Sequence, residues 1–203
     1  MKILRLGITG GLGSGKTTAA RFFGDRGAHL FDADAKAKLI LQNHGPTRQA
    51  VIGAFGATVL NEHKDIDFGL LGAEAFSTPE RQRWLNEIVH PEVILTIQRE
   101  MAAAERKGIA LFVVDVPLLF EAGLEQHLDY TLTIVADKEL RIKRAMARGS
   151  LTAEDIRRRT QLQLSDDERA ARADFVIDNN GSLAELHEQL QALYDKLTGN
   201  VQS

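Results

Sequence analysis

The chain has 203 residues, 44% hydrophobic and 26% charged, with a formal net charge of −3 and no cysteine. That composition suits an ordinary globular protein long enough to bury a core and carry a small subdomain. It excludes disulfides and thiolate metal sites and gives no reason to expect nucleic-acid binding over the whole surface; the longest apolar stretch, Ile109–Phe120, is broken by Asp115 and Pro117 and is too short to span a bilayer.

In chain order, the apolar run Ile3–Thr9 has the length of a buried strand. It leads directly into G-G-L-G-S-G-K-T at Gly10–Thr17, which fits G-x-x-x-x-G-K-[ST]. A helix follows over Thr17–Gly24, with Ala20 and Phe23 spaced for one face. Strand, glycine loop and helix come in the order that a phosphate cradle requires. Glycines let the backbone curl until several N–H groups converge, and the helix presents its positive end at the same point. Gly11, Leu12, Gly13, Ser14, Gly15, Lys16, Thr17 and Thr18 are therefore the expected phosphate-binding residues. Lys16 is expected on the β- and γ-phosphates, and the Thr17 hydroxyl on Mg²⁺.

A turn at Asp25–Gly27 precedes a second strand, His29–Asp32. The next stretch, about 35–107, carries no strand signal; helices are expected over Ala35–Gln42, Gln49–Phe55, Leu70–Phe76 and Pro79–Lys107. A crossover of that length reads as an inserted helical subdomain within one domain, 1–203. Ile109–Val116 is β-branched and apolar on both faces, as central parallel strands are. Further strands are expected at Tyr130–Val135 and Phe175–Ile177, the last ended by the turn Asp178–Gly181. Ser182 and Glu185 form a capping box for a final helix whose Leu183, Leu186, Leu190, Leu193 and Leu197 share a face, with Gly199 as its stop. The segment 141–172 holds nine basic against five acidic residues. Placed after the fourth strand, it reads as an arginine-rich lid over a triphosphate, weighed against a merely solvated helix face.

Phosphate binding alone does not fix a reaction. No N-K-x-D segment that would read guanine occurs. A small-molecule kinase needs an acceptor pocket, a carboxylate near the acceptor hydroxyl and a lid that excludes water. Carboxylates stand at strand ends, where such sheets place their ligand crevice: Asp32, Asp34 and Asp115. Asp32 reads equally as a helix cap, Asp34 less readily as a helix-start acid. Asp115 is either a structural hydrogen-bonding group or a water-bridged Mg²⁺ contact.

Five segments, in this order, resemble the dephospho-coenzyme A kinase family over Leu6–Leu190: I-T-G-G-L-G-S-G-K-T-T at Ile8–Thr18, F-D-A-D-A at Phe31–Ala35, W-L-N-E-I-V-H-P at Trp84–Pro91, V-D-V-P-L-L-F-E at Val114–Glu121 and A-D-F-V-I-D-N-N-G-S at Ala173–Ser182. The resemblance implies an α/β P-loop kinase fold, a five-stranded parallel sheet flanked by helices, with a helical acceptor domain and an arginine lid. It implies transfer of the γ-phosphoryl of ATP to the ribose 3′-hydroxyl of dephospho-coenzyme A, with Mg²⁺, in a cytoplasmic monomer or small homo-oligomer without nucleic-acid or membrane partners. Asp34 would accept the hydroxyl proton. Arg144 and Arg148 fall on an R-x-x-x-R lid stretch, and Asn179 on the adenine-side loop. The acceptor is expected at Asp34, His90, Pro91, Pro117, Leu118 and Arg141. Three positions depart from the common pattern: Phe68 where many members carry arginine, Arg141 where many carry glutamine, and Gly149 where an acidic residue is usual. The rival readings are a same-fold kinase for a nucleotide, shikimate or gluconate, and a nucleotide-dependent regulatory protein.

Overall fold

The computed structural model describes residues 3–147, 160 and 163–199. At its centre lies β1 (Leu4–Gly10), buried throughout from Leu6 to Gly10. It pairs in parallel with β3 (Leu111–Asp115) on one side and β4 (Tyr130–Val135) on the other. Next to β3 lies β2 (His29–Asp32), and next to β4 lies β5 (Phe175–Asp178), giving the order β2-β3-β1-β4-β5 with all pairs parallel. The chain therefore leaves β1 for one side of the sheet and later returns past it to the other. That switch point lies at the carboxyl end of β1, where open parallel sheets hold their ligands.

Helix α1 (Lys16–Gly24) turns Ala19, Ala20, Phe22 and Phe23 inward. They join Leu6, Ile8, Val113, Leu132 and Ile134 of the sheet in one core cluster. The same cluster takes in Leu186, Leu190, Leu193 and Leu197. These leucines lie on the last helix, Leu183–Gly199, whose start carries the expected box: Glu185 N–H donates to Ser182 Oγ at 3.2 Å and Ser182 N–H to Glu185 Oε2 at 2.6 Å. Gly199 is that helix's last residue rather than a stop outside it.

The chain divides into two compact units, one of residues 1–32 and 100–203, the other Ala33–Arg99. The second unit holds α2 (Ala33–Asn43), α3 (Gly45–Phe55), α4 (Phe68–Ala75) and most of α5 (Pro79–Arg106). Three of these helices, α2, α3 and α4, begin earlier than their apolar spacing suggests, and capping extends the last two. His44 caps α3 by accepting from Thr47 N–H, with proline in the first turn, and Asp67 Oδ1 accepts from Gly69 and Leu70 N–H at 2.8 and 2.9 Å. On α5 the buried residues Gln82, Val89, Val93, Ile97 and Ala104 recur at helical spacing. Its last turns group with the first unit, in which Glu100 pairs with His29 at 3.0 Å. The following strand starts at Leu111, not Ile109, because Gly108 turns left-handed (φ 73°) and Ile109 N–H closes the helix on Ala104 O.

After β4 comes α6 (Lys138–Ala147), and before β5 comes α7 (Asp166–Arg172), opened by a second capping box between Ser165 and Glu168. The final helix is α8. Arg148, Gly149 and Arg157–Arg159, part of the expected lid, lie outside the described residues.

Candidate functional site: the glycine loop and its surroundings

The loop between β1 and α1 is built as its sequence requires. Gly13 (φ 80°) and Gly15 (φ 107°) hold backbone conformations that side chains with a Cβ rarely adopt. Crowding adds to this: a Cβ on Gly13 would run into the Arg141 carbonyl, and one on Gly15 into the Asn179 amide. Inside the loop, Ser14 N–H donates to Gly11 O at 3.0 Å, and α1 begins with Ala19 N–H donating to Gly15 O at 3.0 Å. Lys16 and Thr17 therefore sit in the first turn of α1, whose free N–H groups and positive dipole end face the loop.

Asn179 locks this loop from the side. It follows β5 directly and is 6% exposed. Its Nδ2 donates to Ser14 O at 2.6 Å, and its backbone N–H to Val135 O at 2.9 Å. Its carbonyl accepts from Arg144 Nη1 at 2.8 Å. Asn179 and Arg144, expected at the nucleotide from separate parts of the chain, thus meet at the loop.

The carboxyl ends of β2 and β3 bring Asp32 and Asp115 into register with each other, and Asp115 into register with Ile8. The two carboxylates, on neighbouring parallel strands, share a face of the sheet. Thr17, in the first turn of α1, and Asp115, at the carboxyl end of β3, each carry hard oxygen donors of the kind Mg²⁺ takes. The loop after β3 is held to the same end of the sheet: Thr9 Oγ1 donates to Pro117 O at 3.1 Å, and Val116 N–H to Ile8 O at 3.0 Å. Pro117 and Leu118 are partly buried there, and Glu121 Oε1 accepts from Leu164 N–H at 2.8 Å just before α7.

Arg141, expected at the acceptor, lies against the glycine loop, 8% exposed. The reason is topological. Helix α6 follows β4, and β4 is the direct neighbour of β1, so the start of α6 packs on the loop that β1 feeds. A residue not singled out individually from the sequence joins it there: Arg169 of α7, 1% exposed. The local excess of arginine was the available signal; which arginine is buried depends on its neighbours in space.

Asp34, His90 and Pro91 belong to the second unit. Asp34 stands in the first turn of α2, two residues after β2 ends, and is exposed. His90 is partly buried in α5, and burial pushes its imidazole below the usual histidine value. Pro91 is exposed within the same helix. The second unit also carries a shallow groove of about 330 Å³ lined by Lys36, Leu39, Ile40, Asn43, His44 and Thr96.

A five-stranded parallel sheet flanked by helices, whose central strand runs into a Lys- and Thr-bearing glycine loop, defines a P-loop kinase. The family model for dephospho-CoA kinase matches residues 4–185, and the chain belongs to that family. A dephospho-CoA kinase of Salinibacter ruber is 39% identical, covering 96% of this chain and 98% of its own. A crystal structure of the Thermus thermophilus protein TT1252 aligns with TM-score 0.81 at 34% identity, covering 97% and 99% of the two chains. The dephospho-CoA kinase from Campylobacter jejuni aligns with TM-score 0.68 at 28% identity, covering 97% and 98%. No helix among the described residues is long and apolar enough to cross a membrane.

Proposed function

We propose that this chain moves the γ-phosphoryl group of ATP onto the ribose 3′-hydroxyl of dephospho-CoA, with the roles divided as follows. The backbone amides of Gly11–Thr18 cradle the phosphates, and Lys16 neutralises the β- and γ-phosphate oxygens. Thr17 and, through water, Asp115 would hold Mg²⁺, whose contribution there is to offset charge on the phosphate oxygens. Asn179 fixes the loop, and Arg144 and Arg148 add positive charge from the segment after β4. Acceptor binding is assigned to His90 and Pro91 of the second unit and to Pro117, Leu118 and Arg141 of the first.

In the transfer, the 3′-oxygen forms a bond to the γ-phosphorus. The bond from that phosphorus to the β–γ bridging oxygen breaks, ADP leaves with the electron pair, and the hydroxyl proton passes to the Asp34 carboxylate. The transition state is loose, so charge neutralisation outweighs the base. A positioned base contributes typically about 10²–10⁴-fold. The cytoplasm, where ATP is available, is the proposed setting.

The observation that carries this reading is the match of the family model across residues 4–185 of a chain whose glycine loop has its left-handed glycines, Gly13 and Gly15, and its lysine in place. The test is ADP release measured with dephospho-CoA, a nucleoside monophosphate, shikimate and gluconate in turn. Dephospho-CoA alone should stimulate it strongly; equal or greater stimulation by another acceptor would reject the assignment.

A further inference from the structure

Two buried guanidinium groups share one carboxylate beside the glycine loop. Arg141 Nη2 lies 3.0 Å from Asp166 Oδ2, and Arg169 Nη2 lies 2.5 Å from Asp166 Oδ1. Arg169 Nη1 also donates to Leu164 O at 2.5 Å. The two arginines are 8% and 1% exposed. A buried cation is costly unless an anion faces it; here one carboxylate, Asp166, touches both cations, and the exposed Glu168, bonded to Ser165, is the other carboxylate on the same cavity among the described residues. The Nε–H of each arginine is buried without an acceptor among the described residues. Such unmade bonds are expensive in a folded interior.

Both groups lie on the loop itself. A Cβ placed on Gly11 would collide with Arg141 Nη1 and come within 3.1 Å of Arg169 Nη2. Gly11 therefore has a close-approach role distinct from that of Gly13 and Gly15: it lets two cations reach the loop backbone. Both arginines also line a cavity of about 450 Å³, which Leu12 of the loop and Lys138 border as well. The site thus combines an excess of buried positive charge, unused donors, a cavity, and a backbone already shaped for phosphate. Arginine pairs offer forked donors that suit phosphate oxygens, and a carboxylate presents a similar oxygen pair.

Building on the ATP-binding reading of the loop, we propose that Arg141 and Arg169 form an anion subsite for the distal phosphoryl group of a triphosphate, and that Asp166 is the counter-ion this group displaces. In the nucleotide-free chain the Asp166 carboxylate occupies the place between the two arginines. A triphosphate exchanges with it, oxygen for oxygen, and its additional charges satisfy the donors that the carboxylate leaves unused. Asp166 is then a built-in competitor, so the chain binds a triphosphate less tightly than its arginines alone would allow. A diphosphate, which lacks the distal group, is not affected.

The test compares ATP and ADP binding, both with Mg²⁺, by calorimetry on the parent, Asp166→Asn and Arg141→Gln. Asp166→Asn keeps the shape and removes the competing charge. It should bind ATP roughly tenfold more tightly, with ADP affinity unchanged. Arg141→Gln keeps amide donors without charge and should weaken ATP roughly tenfold, again sparing ADP. Inorganic tripolyphosphate should follow ATP, and pyrophosphate should follow ADP. Thermal melting of the nucleotide-free proteins separates a bracing role. If both variants melt earlier but bind ATP and ADP as the parent does, the cluster only ties α6 to α7 and the inference is wrong. A parent that binds ADP and ATP equally well, with Asp166→Asn making no difference, would also overturn it while leaving the loop assignment standing. A parent that binds neither would remove the loop assignment itself.

Discussion

Replacing Asn179 with alanine tests how the phosphate loop keeps its shape. The side chain makes one buried hydrogen bond, 2.6 Å from Nδ2 to the Ser14 carbonyl. The two other bonds of this residue use its backbone, to Val135 O at 2.9 Å and from Arg144 Nη1 at 2.8 Å, and survive truncation. The substitution therefore isolates the contact to the loop. Leaving a buried carbonyl without its donor costs about 1–3 kcal/mol. Urea unfolding should show that loss, with the slope against denaturant unchanged. Because Ser14 lies between Gly13 and Gly15, a freed carbonyl also lets the loop relax before phosphate arrives. Whatever part of the cost is spent on reordering the loop appears in ATP affinity, at tenfold for every ~1.4 kcal/mol. Asn179→Asp is the sharper variant: a carboxylate cannot donate to the carbonyl and sets oxygen against oxygen, so it should be worse than alanine in both measurements. If alanine unfolds within about 0.5 kcal/mol of the parent, as an inert surface change would, and binds ATP equally well, the locking role is refuted. An aspartate variant no worse than alanine would refute the donor geometry.

Four further outcomes follow from the same structure. Lys16→Ala should abolish transfer while circular dichroism stays that of the parent, since Lys16 is half-buried in the first turn of α1 and absent from the core cluster. Asp34→Asn should lower kcat by roughly 10²–10⁴-fold with the KM for ATP nearly unchanged; equal turnover would remove Asp34 as the proton acceptor. Leu190→Ala, at a fully buried position of α8, should cost about 2–5 kcal/mol in urea unfolding. His90 sets a pH dependence: burial lowers its folded value below the ordinary 6.5, so near pH 7.5 it is neutral in both states and contributes no slope. As pH falls through that value, the unfolded chain takes up a proton that the folded chain does not, and stability drops. His90→Gln should flatten that part of the acid decline in a series of urea midpoints, and an unchanged decline would show that His90 is not its source.

The sheet was legible because its strands carry their burial in their residues. The run L-F-V-V within Ile109–Val116 is apolar on both faces, and the observed Leu111–Val114 is buried on both. The glycine loop was legible because its curl depends on residue types that serve few other purposes in that order. The helix starts in the second unit were not: His44 capping α3 and Asp67 capping α4 extend each helix beyond the apolar residues that betray it. That Arg141 lies against the glycine loop was not legible, because its neighbours follow from β4 lying next to β1 and not from its position in sequence. Arg169 was hidden for a related reason. In sequence it is one arginine of a basic run, and any single one of these reads as solvated; in space Asp166, Leu164 and the glycine loop enclose it. Burial of a charged side chain is decided by contacts distant along the chain, and periodicity does not report it.

The identity of the acceptor and the position modified define the reaction. Mass spectrometry and phosphorus NMR of the product formed from ATP and dephospho-CoA test both at once. The predicted result is coenzyme A, with one new phosphate monoester on the ribose 3′-oxygen and one ADP released per molecule formed. Phosphate appearing at another hydroxyl, or ADP forming with the acceptor recovered unchanged, would contradict it.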